Sequence, residues 1–113
     1  WALFEPRSNT SKRDLFQKQY GEAFDAADQV LLADVFMPEK VKDGKILDVD
    51  RVVKEINRRG RAQAQHLSGP EAMVEAVATE ARPGDVIIMM SNGDFGGLGP
   101  KLLKGLEARE TKE

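Results

Sequence analysis

The chain has no cysteine. That excludes disulfide staples and thiolate metal sites, and it suits a reducing compartment such as the cytoplasm. No stretch approaches the roughly 20 consecutive apolar residues of a membrane-spanning helix, and no signal peptide is visible. An excess of either charge is also missing: 17 basic and 19 acidic residues leave a formal net charge of -2. A nucleic-acid or polyanion surface therefore has no electrostatic basis. The single basic cluster, Arg58, Arg59 and Arg61, reads as a solvated helix end. There is no G-x-x-x-x-G-K-[ST] loop, which removes a Walker-type triphosphate site. Gly93, Gly96 and Gly97 do not spell G-x-G-x-x-G, and they follow the last expected strand, not the first. No serine stands in a G-x-S-x-G elbow, and no His/Asp/Glu group has metal-ligand spacing.

What is present is ordinary for one soluble globular domain: 113 residues, 41% hydrophobic and 32% charged. The chain lacks an initiator methionine and opens in a strand-like run, so it is expected to be one domain of a longer protein. Its organising stretch is Pro83 to Leu106. Val86 to Met90 is a continuous apolar run and predicts a strand covered on both faces, as in a parallel sheet. Ser91, Asn92 and Gly93 leave that strand, further glycines follow, and Leu98, Leu102, Leu103 and Leu106 form one stripe at helical spacing. A glycine-rich turn between strand and helix can bring bare N–H groups to an anion. It can equally be a tight connection that needs glycine only for its backbone angles.

Upstream, Trp1 to Phe4 predicts a short buried strand closed by Glu5, Pro6 and Arg7. A helix is expected from about Lys12 to Asp25, with Phe16, Tyr20, Ala23, Phe24 and Ala27 on one face and Ser11 with Asp14 as a weak cap. Gln29 to Val35 is the second strand, and Lys40 to Asp48 a loop. Val49, Val52, Val53 and Ile56 predict a helix ending near Arg59, with Gly60 as its stop. Ala62 to Leu67 is the third strand. Ser68 and Glu71 around Pro70 predict a capped helix start, followed by a buried face of Met73, Val74, Val77 and Ala81. The charged tail from Arg109 is expected to fray.

The order is β-α-β-α-β-α-β-α, which predicts an α/β fold: a three-layer, mostly parallel, Rossmann-like sheet with helices on both faces. Ligands of such sheets bind beyond the carboxyl ends of the strands. That rule gathers Arg7 to Thr10, Asp34 to Phe36, His66 with Ser68, and Ser91 to Phe95 along one edge. Arg7 offers a planar fork for a carboxylate or phosphate; the alternative is a surface arginine paired with Glu5 or Asp34. Asn92 suits an amide ligand, or is a turn residue. Asp94 reads as a loop residue or an N-cap. His66 is the only histidine, either structural or part of a site, and the sequence names no partners for it.

Two segments point to a family. FEPRSNTSKR (Phe4 to Arg13) and MSNGDFGG (Met90 to Gly97) resemble the C-terminal domain of the Mur ligases. Within that family the E-P-R-S-N-T segment resembles the peptide-ligase branch; the alanine-adding branch has a His-Arg-Tyr-Thr pattern there. Asp94 departs from the family's usual glycine, and Gly99 and Pro100 from its usual start of the last helix. The resemblance implies an ATP- and Mg2+-dependent amide ligase. It would join the recycled murein tripeptide L-Ala-γ-D-Glu-meso-diaminopimelate to UDP-N-acetylmuramate. It also implies N-terminal and central domains in the same polypeptide, the central one holding ATP and Mg2+. This chain alone would be inactive and would bind the incoming peptide. Carried onto this sequence, Arg7 would anchor the peptide carboxylate, and Ser8, Asn9 and Thr10 would orient the peptide or approach the nucleotide when the domain closes over the ATP domain. Ser91, Asn92, Gly93 and Phe95 would form the second wall, and His66 would lie nearby. A free-standing module for small anions or peptides, and a scaffold with purely structural loops, are the rival readings of the same residues.

Overall fold

The structure is a computed structural model that describes residues 1–7, 17–36, 45–91 and 93–112, with side chains through 109. Four strands form one sheet: β1 (Ala2–Phe4), β2 (Gln29–Leu32), β3 (Gln63–His66) and β4 (Ile88–Met90). The helices are α1 (Gln17–Ala23), α2 (Val49–Arg59), α3 (Pro70–Glu80) and α4 (Leu98–Lys112), with a 3₁₀ turn at Phe95–Gly97. Every strand pair is parallel, in the order β3-β2-β1-β4. The α/β expectation and the β-α alternation therefore both hold.

The period-2 geometry of a strand divides the core into two layers. Ala2, Phe4, Val30, Leu32 and Ala64 face α1 and α2, where Phe24, Val52 and Ile56 complete a cluster. Leu3, Leu31 and Ala33 face the other way and meet Met73, Val77, Leu98 and Leu102 of α3 and α4. Aliphatic residues on both sides of β1 and β2 explain why those runs alternate so little in sequence.

Helix boundaries follow local chemistry. Asp48 caps α2 by accepting the Arg51 backbone N–H at 3.1 Å. Gly60 stops the helix in the left-handed conformation, with φ 73, which a residue with a Cβ adopts only at a cost. Gln17 from α1 clamps the same start, donating to the Asp48 carbonyl and accepting its N–H, both at 2.8 Å.

Four expectations need correction. The apolar run before Ser91 is not covered on both faces: β4 is an edge strand, Val86 is 69% exposed and Ile88 56%. Among the described residues, three-residue β4 pairs with β1 alone, at the edge of the sheet. Leu103 lies outside the α4 stripe at 64% exposed, because α4 presents Leu98 and Leu102 to α3. Gly69, not Ser68, caps α3, with no side-chain cap bond, because the Ser68 hydroxyl is turned to Asp34. The helix assigned to the tail runs on through Lys112. Residues 12–16 of the first expected helix, the Ser11/Asp14 cap and most of the 40–48 loop lie outside the described residues.

Candidate functional site at the carboxyl edge

The connection after β1 leads to β2 on one side, whereas the crossover after β3 returns to β4 on the other side of β1. The chain therefore leaves β1 and β4 in different directions, and the rule for parallel sheets makes the strand ends between them the expected place for a ligand. Arg7 and Ser91 flank this switch point. Pro6, among the most buried residues of the chain, fixes the backbone from which Arg7 projects. The Pro6 carbonyl accepts the Phe36 N–H at 2.9 Å. That bond brings the loop after β2 alongside, and the Arg7 guanidinium lies 3.7 Å above the Phe36 ring centroid. Stacking of this kind suits a guanidinium better than an ammonium.

The other wall is Gly93. A Cβ placed on it would sit 2.5 Å from Arg7 Cζ, so only glycine lets the loop close on the guanidinium. Ser91 organises this loop: its hydroxyl donates to Glu5 Oε1 at 2.7 Å and accepts the Gly93 N–H at 3.2 Å. Glu5 Oε1 also lies 3.7 Å from Arg7 Nη1. That is an ion pair without a fitted hydrogen bond. Of the two expected partners for Arg7, the structure selects Glu5. Asp34 is used elsewhere.

Asp34 Oδ1 lies 2.6 Å from His66 Nε2, and Asp50 Oδ1 lies 2.8 Å from His66 Nδ1. Ser68 adds a bond to Asp34 at 3.2 Å. Partial burial pulls the His66 pKa down, but the hydrogen bonds to Asp50 and Asp34 outweigh it and leave the group above its ordinary value. Both ring nitrogens are therefore occupied, and the ring is not free to serve as a base or a metal ligand. Among the described residues no group of three or more His, Cys, Asp or Glu is placed to hold a metal ion.

Phe95, expected in the second wall, is turned into the core instead. Its ring is 5% exposed, packed with Leu98 and Leu102, and its φ is +54. A bulky residue held there stores on the order of 1 kcal/mol or more of strain, sustained by the packing around it. Asp94 caps the turn, accepting the Gly96 N–H at 3.1 Å. Ser8, Asn9, Thr10 and Asn92 lie outside the described residues. The sequence placed Asp34 to Phe36 on the ligand edge and offered Asp34 as a partner for Arg7, but gave no sign of Asp50, which lies in the first turn of α2. Its spacing from His66 carries no local signal.

Away from the strand ends, an open groove of about 1300 Å³ runs beside β4, lined by Trp1, Phe4, Tyr20, Phe24, Ile88 and Met90 among others. Among the described residues no helix is long and apolar enough to cross a membrane.

No family model matches the chain. Its relatives nonetheless define a class: the chain belongs to the Mur ligase family. It is 32% identical over 98% of its length to the UDP-N-acetylmuramate–L-alanine ligase of Mycobacterium avium. It is 36% identical over 93% of its length to the UDP-N-acetylmuramate–L-alanyl-γ-D-glutamyl-meso-2,6-diaminoheptandioate ligase of Escherichia coli. A crystal structure of a murein peptide ligase from Psychrobacter arcticus superposes over 94% of the chain, with TM-score 0.72 and 30% identity. In each case the chain spans about a fifth of the relative's length, 21%.

Proposed function

We propose that this chain is the C-terminal domain of a three-domain, ATP-dependent cytoplasmic ligase of peptidoglycan recycling. Its role is to bind the incoming peptide L-Ala-γ-D-Glu-meso-diaminopimelate and present the peptide's amine to UDP-N-acetylmuramate. The observation that carries this reading is Arg7: a guanidinium held at the switch point between Phe36 and Gly93, with no fitted carboxylate of its own among the described residues. Its donors suit a carboxylate of the incoming peptide. Ser91 and Gly93 form the opposing wall, and the buried Phe95 packs behind their loop; the roles proposed for Ser8, Asn9, Thr10 and Asn92 in orienting the peptide rest on the family resemblance alone. His66 acts from the second corner.

The residues present do not fit ATP and Mg2+. The sequence has no Walker loop, and no suitable cluster of ligands occurs among the described residues. The reading therefore assigns nucleotide and metal to the rest of the polypeptide. The contribution of this chain is orientation: holding the peptide by its carboxylate lowers the entropic part of the barrier to amide formation. The exposed apolar edge of β4 and the groove beside it are surfaces that a larger polypeptide would cover.

L-Alanine as the incoming nucleophile is the second reading, favoured by the name of the Mycobacterium avium relative. Titration of the chain with tripeptide and with L-alanine, followed by amide and Arg Nε–H shifts, separates the two. Tripeptide shifts centred on Arg7, Ser91 and Gly93 are expected. Shifts with L-alanine alone would replace the peptide by the amino acid, and shifts elsewhere would overturn the site. In the full-length enzyme Arg7→Ala should raise the peptide KM by roughly 30- to 150-fold, for a charge-assisted contact of about 2–3 kcal/mol, with the ATP KM little changed.

A further inference from the structure

We propose that His66 is a positioning residue for Arg7. As an imidazolium clamped between Asp34 and Asp50, it fixes the loop that places Phe36 beneath the guanidinium. The contacts form a continuous path. Asp50 stands in the first turn of α2 and Asp34 at the exit of β2. His66, the last residue of β3, touches both. Two residues beyond Asp34, Phe36 is hydrogen-bonded to Pro6 and lies under Arg7. The stack on Arg7 thus depends on where the 33–36 loop runs. That loop is held at one end by Ala33 N–H donating to the Phe4 carbonyl at 2.9 Å, and along its length by the Asp34 carboxylate.

The protonation state follows from the geometry. Each ring nitrogen faces a carboxylate oxygen, and carboxylates only accept. Both contacts are hydrogen bonds only if both nitrogens carry protons. A neutral ring has one nitrogen lone pair directed at a carboxylate. Loss of the Nε2 proton leaves the Asp34 carboxylate held by the Ser68 hydroxyl alone and loosens the loop; loss of the Nδ1 proton unpins the ring from α2. Among the described residues the charged groups that face the ring are Asp34 from the β2 exit and Asp50 from α2; the Ser68 hydroxyl, from the segment leading into α3, binds Asp34 and not the ring. No cation competes with the imidazolium among them. The mixed charge of this corner therefore makes Arg7 placement depend on proton concentration near neutrality, although Arg7 itself does not titrate there.

This deepens the reading of Arg7 as the peptide anchor, but its test uses no ligand, so either can fail without the other. The experiment is a pH titration of the chain by nuclear magnetic resonance, following the His66 ring, the Arg7 Nε–H and the Phe36 ring from pH 5 to 9. The expected result is one shared midpoint for all three, above the ordinary histidine value. Asp50→Asn should lower that midpoint for all three together. His66→Gln should abolish the Arg7 and Phe36 transitions while the amides of Val77 and Leu102, on the opposite face, keep their native shifts. A His66 transition that leaves Arg7 and Phe36 unmoved overturns the proposal, as does an Arg7 transition that survives His66→Gln. If His66→Gln disturbs the Val77 and Leu102 amides, the Asp50→Asn midpoints decide: separate movement of the His66 and Arg7 midpoints overturns it.

Discussion

At one corner of the carboxyl edge, beyond β2 and β3, the cation is His66, and both its nitrogens meet carboxylates at 2.6 and 2.8 Å. At the other corner, beyond β1 and β4, the cation is Arg7. Among the described residues its carboxylate partner, Glu5, is 3.7 Å away, and its flat face rests on Phe36. The first cation is saturated and ties secondary-structure ends together. The second is braced by a ring and a glycine, neither of which consumes its donors. A cation whose donors are already used serves the scaffold; one held in place with donors to spare can receive an anion. The same sheet edge carries both, and the 33–36 loop joins them.

The largest expected effect that tests this contrast comes from Gly93→Val. The new side chain must displace the guanidinium, which is the mobile end of a long side chain. Thermal stability should therefore change little while peptide affinity falls by at least tenfold, as for loss of one charge-assisted contact of about 1.5 kcal/mol or more. A large drop in melting temperature with affinity retained would mean that the glycine serves the loop and not Arg7. Phe36→Leu should act next in size. It removes the stack but keeps an apolar surface, for a loss of about 0.5–1 kcal/mol of binding. Unchanged affinity would show that Arg7 is oriented by Glu5 instead.

The pH dependence of stability gives the smallest effect and addresses the saturated corner. The folded-state pKa of His66 is raised. Its contribution is therefore fully present below the unfolded value of about 6.5 and is lost as pH rises through the folded value. Melting temperatures of wild type and His66→Gln should differ most near pH 6 and converge at alkaline pH. Divergence that grows with pH would mean the ring is held neutral, and the two corners would no longer contrast.

Much of this molecule was legible in its residues. Three apolar runs, the alternating segment Ala62 to Leu67, the capping and stop residues around α2, and the order of elements led to a parallel α/β sheet, because strand and helix periodicities are local properties. Arg7, Ser91 and Gly93 could be placed at one edge because parallel topology puts every strand end on the same side. The run before Ser91 misled because apolar composition reports that a segment gets covered, not by which neighbour. Here β4 is the sheet edge, with Ile88 and Met89 exposed.

The partners of each charge were settled only in three dimensions. Arg7 could have paired with Asp34 as readily as with Glu5 on sequence alone. The fold gave Asp34 to His66 and left Phe36 and Gly93 to Arg7. Asp50 precedes His66 by 16 residues, and no sequence rule links them. Strand order and the packing of α2 against the sheet bring them together, since the reach of a hydrogen bond is set by distance in space, not along the chain.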